Sequence, residues 1–198
     1  MTLLFYLLQY LRIYHRLYPD IKVTVTNAPT PETIKHLNDG KIDFGIVSTP
    51  LSVKNHLKMV PVRTISDVFV GGKSFEYLKG KELSYRALEE LPVMCLEGNT
   101  STRNYVEEFL KTQGVCVNPE FELATSGMLI QFARRNLGIA SVVEDFAKEG
   151  IANGELFKLQ FEQELPPRHF CVVTNESIPL SAAASRLLQF LQQDLQEV

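Results

Sequence analysis

Two hydroxyl-rich stretches have the residue types to hold a small anion. In "NTST", Asn99, Thr100, Ser101 and Thr102 open a run with helical spacing, and in "TSG", Thr125, Ser126 and Gly127 open another. Thr2 stands before a third such run. The first turn of a helix carries backbone N–H groups without intrahelical partners and a partial positive charge, so hydroxyls gathered there suit an anion. A lone Ser or Thr before a helix is also the ordinary cap, stabilising by about 1 kcal/mol. The polar run from Asn99 to Thr102 exceeds what a cap needs. Arg103 and Arg134 could add charge-assisted bonds, although a solvated helix arginine is the plainer reading of each.

Other chemistries lack their residues. The sequence holds no G-x-S-x-G, P-loop, G-x-G-x-x-G or paired-carboxylate pattern, and "VGG" at Val70–Gly72 is too short for a phosphate loop. His15, His36, His56 and His169 form no H-E-x-x-H and cluster with no Cys or Asp, so no metal site is expected. Cys95, Cys116 and Cys171 form no C-x-x-C and sit in apolar surroundings, which predicts buried, reduced thiols in a reducing cytoplasm. No catalytic residue and no cofactor are assigned.

The 198 residues suffice for one large domain or two small ones, and 45% apolar with 22% charged residues is ordinary for a globular protein. The net charge of −3 is scattered, without the basic patch of a DNA-binding surface. The opening "MTLLFYLLQYLRIYHRLYPD" lacks the basic start and small-residue cleavage site of a signal peptide and is too short and polar to span a membrane. Leu4, Leu7, Leu8, Leu11, Tyr14 and Tyr18 instead predict an amphipathic helix stopped by Pro19.

Strands and helices then alternate. "IKVTV" (21–25) reads as a strand with one covered face. "APTPETIKHLNDG" reads as a helix capped by Thr30 and stopped at Gly40, and "KIDFGIV" as a strand. "MVPVRT", "ISDVFVG", "PVMCLE", "PEFELA", "IASVV", "GELFKLQF" and "RHFCVVT" are further strands. Helices are expected at "SYRALEEL", after Thr100, from Ser126 to Gly138, and at the end along Ala184, Leu187, Leu188, Leu191 and Leu195. Two runs of this rhythm without a flexible linker imply an α/β protein with two small sheets.

At this point the residues resemble a family. Tyr18-Pro19, the strand from Ile21, and Gly40-Lys41-Ile42-Asp43 with Ile46 are similar to the opening of the effector-binding domain of LysR-type transcriptional regulators. "LEELPVMCLEGNTSTRNYVEEFL", "SGMLIQFARRNLGIASV", "ANGELFKL" and "RHFCVVTNESIPLSAAASRLLQFL" resemble its remainder in order. The resemblance implies two Rossmann-like subdomains of the periplasmic-binding-protein type II fold with two crossover strands. Subdomain I would hold 1–70 and 171–198, and subdomain II 71–170. It implies an effector cleft between them that adds Ser48 and Thr49 to the ten candidate ligand residues Thr2, Ser48, Thr49, Asn99, Thr100, Ser101, Thr102, Thr125, Ser126 and Gly127. It implies a homodimer or tetramer, with the first helix a plausible contact element. DNA would be reached only through a winged helix-turn-helix not present in this chain, and no membrane is involved. The resemblance also implies a first strand that would precede Thr2.

The expected function is therefore sensing of a small, anionic effector. An extracytoplasmic solute receptor of the same fold would need an export signal, and a cleft enzyme would need a nucleophile–base pair. Two residues of "DFGIV" remain to be explained. Gly45 would let a helix or ligand approach the strand closely, and Asp43 would anchor the turn after Gly40.

Overall fold

The computed structural model describes residues 6–51 and 56–193. They divide into two compact units, one formed by Ile65–Pro167 and the other by the chain up to Thr64 and from Arg168.

The Ile65–Pro167 unit is built on a five-stranded sheet. Its strands are β3 (Asp67–Gly72), β5 (Val93–Leu96), β6 (Phe121–Leu123), β7 (Ile139–Val143) and β8 (Leu156–Lys158), in the order β6-β5-β7-β3-β8. β6, β5 and β7 run parallel, while β3 is antiparallel to both of its neighbours. The parallel strands are joined by α3 (Ser101–Thr112) and α4 (Ser126–Arg134), and α5 (Glu144–Ala152) follows β7. Every residue of β3, β5 and β7 is buried, as strands covered on both faces require.

One core lies on the α3 side, where Val93, Cys95, Ile139 and Phe69 meet Val106, Phe109 and Leu110. Tyr85 stacks on Phe161 with ring centroids 4.3 Å apart, and Phe69 sits edge-on to both. The segment "SYRALEEL" forms a 3-10 turn, Tyr85–Glu89, and Ser84 makes no side-chain cap bond there. β4 (Glu82–Leu83) and β9 (Gln160–Phe161) add a small parallel pair.

The second unit carries a three-stranded sheet, β1 (Phe44–Ser48), β10 (Arg168–Asn175) and β2 (Leu57–Ile65), in the order β1-β10-β2. It packs with α1 (Leu8–Leu17), α2 (Thr30–Asn38) and α6 (Ala182–Gln193). Two expectations fail here. The buried stripe of α1 is tyrosine more than leucine: Tyr14 is buried as expected, but Tyr6 and Tyr10 join it, while Leu8 is 50% exposed. Tyr6 and Tyr14 bury large rings and donate their hydroxyls to the Leu191 and Ala183 carbonyls of α6, at 3.3 and 3.0 Å. An aromatic ring with a polar tip can line a helix face that ends on backbone carbonyls, which leucine cannot.

Residues 21–25 form no strand, and Val23 and Val25 lie 41% and 43% exposed. Alternation marks a face that could be covered, but a strand also needs a neighbour for its backbone. Among the described residues none pairs with this segment, and β1 pairs only with β10.

Gly45 and Asp43 both serve packing. A Cβ at Gly45 would lie 2.6 Å from Thr33 Cγ2, so the glycine lets α2 close on β1. Asp43 Oδ1 accepts a hydrogen bond from Ser181 Oγ at 3.0 Å, and that oxygen accepts the Ala184 N–H at 3.1 Å. Asp43 thus orients the hydroxyl that caps α6.

All three cysteines are free; Cys95 and Cys171 are buried, but Cys116 is exposed, against the expectation of three buried thiols. Its loop follows the end of α3, where the Cys116 N–H is held by the Glu89 carboxylate at 3.0 Å. Burial raises the Cys95 thiol from 9.0 to about 11 and shifts Cys171 the same way. A raised thiol pKa contributes stability that is complete below the unfolded value and is lost as pH climbs through the folded one. Stability measured by urea melts is therefore expected to decline between pH 9 and about 11. At neutral pH iodoacetamide should label Cys116 alone until the chain unfolds.

Candidate functional site

The strand order places the two hydroxyl-rich segments side by side. From β5 the chain crosses through α3 to β6 on one side, then returns through α4 to β7 on the other side of β5. Right-handed crossovers in opposite directions put α3 and α4 on opposite faces of the sheet. Packing agrees: Val93 and Cys95 point into the α3 core, whereas the intervening Met94 is absent from that core. The loops leaving the carboxyl ends of adjacent strands β5 and β6 therefore diverge. A crevice outside such strand ends, with a helix N-terminus on each wall, is where open α/β sheets hold ligands.

Thr100 is the N-cap of α3. Its Oγ1 accepts the Arg103 N–H at 3.2 Å and donates to the Glu97 carbonyl at 3.0 Å. Thr125 caps α4 by accepting the Met128 N–H at 3.3 Å. These two hydroxyls have structural duties. Asn99 is exposed just ahead of α3, and Ser101 and Thr102 are half-buried in its first turn. Ser126 and Gly127 are half-buried in the first turn of α4.

Both arginines face carboxylates of their own chain. Arg103 is not solvated but buried, at 8% exposure. Its Nε lies 2.5 Å from Glu107 Oε1, its Nη2 3.6 Å from Glu122 Oε1, and its Nη1 donates to the Leu96 carbonyl at 3.2 Å. This arginine ties α3 to the ends of β5 and β6 from beneath. Arg134 Nε sits 3.1 Å from Glu155 Oε2, an ion-pair distance without hydrogen-bond alignment. Arg103→Met should lower stability by about 1–3 kcal/mol, chiefly by leaving the Leu96 carbonyl without its charged donor. Chemical denaturation reads this directly.

The remaining candidates lie apart from these. Ser48 is buried at the end of β1, opposite Phe170. Thr49 closes the β1–β10 ladder: its N–H donates to the His169 carbonyl at 2.9 Å, and its Oγ1 accepts the His169 N–H at 2.9 Å. The Thr49 carbonyl accepts from Arg168 Nη1 at 3.2 Å. Arg168, 3% exposed, was not singled out in the sequence; a charge at the start of an apolar strand is its only written sign. Ser48 and Thr49 belong to the second unit, Asn99–Thr102 and Thr125–Gly127 to the first. Thr2 lies outside the described residues. A small hollow of about 110 Å³ in the second unit, lined by Gly40, Asp43, Asn175 and Ile178 among others, includes none of the candidates.

Comparison with known proteins agrees with this fold. A family model described as the LysR substrate binding domain matches residues 2–196. The HTH-type transcriptional activator CmpR of Synechocystis sp. is 24% identical over 180 residues, covering 88% of this chain and 57% of CmpR. The chain thus spans little more than half of that relative. Among solved structures, the Synechocystis PCC6803 CcmR regulatory domain in complex with 2-PG superposes with a TM-score of 0.87 at 19% identity, covering 98% of this chain and 92% of that one. The effector binding domain of QuiR in complex with shikimate gives 0.82 at 11% identity, covering 96% and 90%.

Proposed function

The chain belongs to the LysR substrate-binding domain family, and from that premise we propose that it senses a small anionic metabolite for a transcriptional regulator. The observation that carries this reading is the pair of hydroxyl-bearing first turns, α3 and α4, at the carboxyl ends of adjacent parallel strands. N–H groups and hydroxyls from two helix starts can share one small anion, and neither Arg103 nor Arg134 is needed for it. The 2-PG and shikimate complexes of the CcmR and QuiR domains support an effector of metabolite size. No turnover is assigned to the site.

The sensed state would be passed to DNA by a part of the regulator outside this chain, acting as a homodimer or tetramer in the cytoplasm. Leu8, Ile13 and Leu17, all about half exposed on α1, support that helix as a contact element. Among the described residues no helix is long and apolar enough to cross a membrane.

Calorimetric titration with 2-PG, shikimate and related small anions tests the proposal. One of them should bind saturably, and Ser101→Ala combined with Ser126→Ala should weaken that binding by roughly 10- to 100-fold if each lost bond is charge-assisted. Binding that ignores both substitutions places the effector elsewhere. Absence of saturable binding across the series defeats the anionic assignment.

A further inference from the structure

The point where the chain leaves the Ile65–Pro167 unit is fastened to α3. After β9 the segment 162–167 runs without helix or strand to Arg168, the first residue of β10. Leu165 is buried in the core of the unit, and Lys158 Nζ reaches Glu164 Oε1 at 3.5 Å. The Glu162 N–H donates to the Leu83 carbonyl at 3.1 Å, and the Tyr85 hydroxyl donates to the Gln163 carbonyl at 2.8 Å. Nearest the exit, the Tyr105 hydroxyl of α3 donates to the Pro166 carbonyl. Gln113, just past the other end of α3, reaches the Gln163 side chain at 3.4 Å.

Tyr105 follows Thr102 by three residues and Ser101 by four, so the three share one face of α3. Pro166 and Pro167 each have a fixed φ and no N–H, which makes the pair a stiff strut. Movement of the Pro166 carbonyl is then handed on to Arg168 rather than absorbed. We propose that Tyr105 is a positioning residue that couples the state of the first turn of α3 to the backbone at Pro166–Arg168. Its link to an effector rests on the reading of α3 given above; the mechanical coupling does not. A ligand drawing on the first-turn N–H groups displaces a helix that moves as one body, and the tyrosine hydroxyl carries that displacement to the exit.

Hydrogen exchange on the whole chain tests this without a ligand. Thr100→Ala removes the cap and loosens the first turn of α3. It should speed exchange at the bonded amides of Glu162 and His169 about fivefold with Tyr105 in place, and less than about twofold further in a Tyr105→Phe background. Thr100→Ser, which keeps the cap, should leave these amides unchanged. Equal acceleration in both backgrounds overturns the coupling, because a merely structural Tyr105 would give additive effects.

A second measurement uses 2-PG as probe. It should protect the same amides in the unaltered chain, while Tyr105→Phe binds it within about twofold and shows no such protection. Equal protection in both proteins overturns the coupling. Failure of 2-PG to bind either protein counts against the effector reading for that compound, and the cap experiment then decides the coupling alone.

Discussion

Phe69→Ala is expected to lower the stability of the Ile65–Pro167 unit by about 3–5 kcal/mol. Phe69 is 1% exposed in β3, between β7 and β8. Its ring meets Phe161 edge-on at 5.5 Å and Tyr85 at 6.4 Å, beside the stacked pair those two form. Truncation opens a cavity the size of a ring among residues already fixed by their own contacts, and β3 cannot move to fill it because both of its edges are paired. A loss of this size is a large share of the 5–15 kcal/mol that keeps an average domain folded. Urea melts followed by tyrosine near-ultraviolet dichroism should show the drop, with Phe69→Leu losing less than half as much. A change below about 1 kcal/mol would mean that this aromatic group is not what holds the unit together.

Gly72→Ala should be nearly as damaging, at about 3 kcal/mol, for a different reason. The residue ends β3 in ordinary extended backbone, so no positive φ demands glycine. A Cβ there would lie 2.3 Å from the Ala133 carbonyl oxygen of α4 and 2.6 Å from Asn136 Oδ1. Backbone cannot step aside as a flexible side chain can, and the Asn136 oxygen is already engaged, accepting the Ser74 N–H at 2.8 Å. One added methyl therefore pushes α4 off the sheet and breaks an anchor. Gly98→Ala is the control: nothing lies within 4 Å of a Cβ there, and its effect should stay within about 0.5 kcal/mol. Thermal melts should separate the two glycines by roughly 5–12 °C. Near-equal melting temperatures would show that α4 can retreat from β3 at little cost.

The "VGG" that is too short for a phosphate loop is thus a packing device, and this illustrates what could be read in the chain. Strand–helix alternation in 93–143 was plain because β5 and β7 are covered on both faces and each helix shows its apolar stripe. The hydroxyl runs at 99–102 and 125–127 were legible for the same reason, since they sit where helix periodicity begins. Pairing was not legible. Nothing in "IKVTV" says that no described neighbour takes up its backbone, and a leucine-weighted reading of α1 included Tyr14 but missed Tyr6, whose hydroxyl also reaches an α6 carbonyl. Arg103 looked like a solvated helix residue because the Glu122 that helps to bury it is far along the sequence. Long-range partners decided every one of these cases.

The divergence of α3 and α4 has a consequence for how such a sensor could change its diet. Glu97, Gly98, Asn99 and Ala124 sit on exposed loops beyond the ends of fully packed β5 and partly buried β6. If the proposed effector site holds, substitutions there would change its lining while leaving the interior intact. Natural variation could therefore explore new metabolites through these loops alone, with the scaffold inherited unchanged.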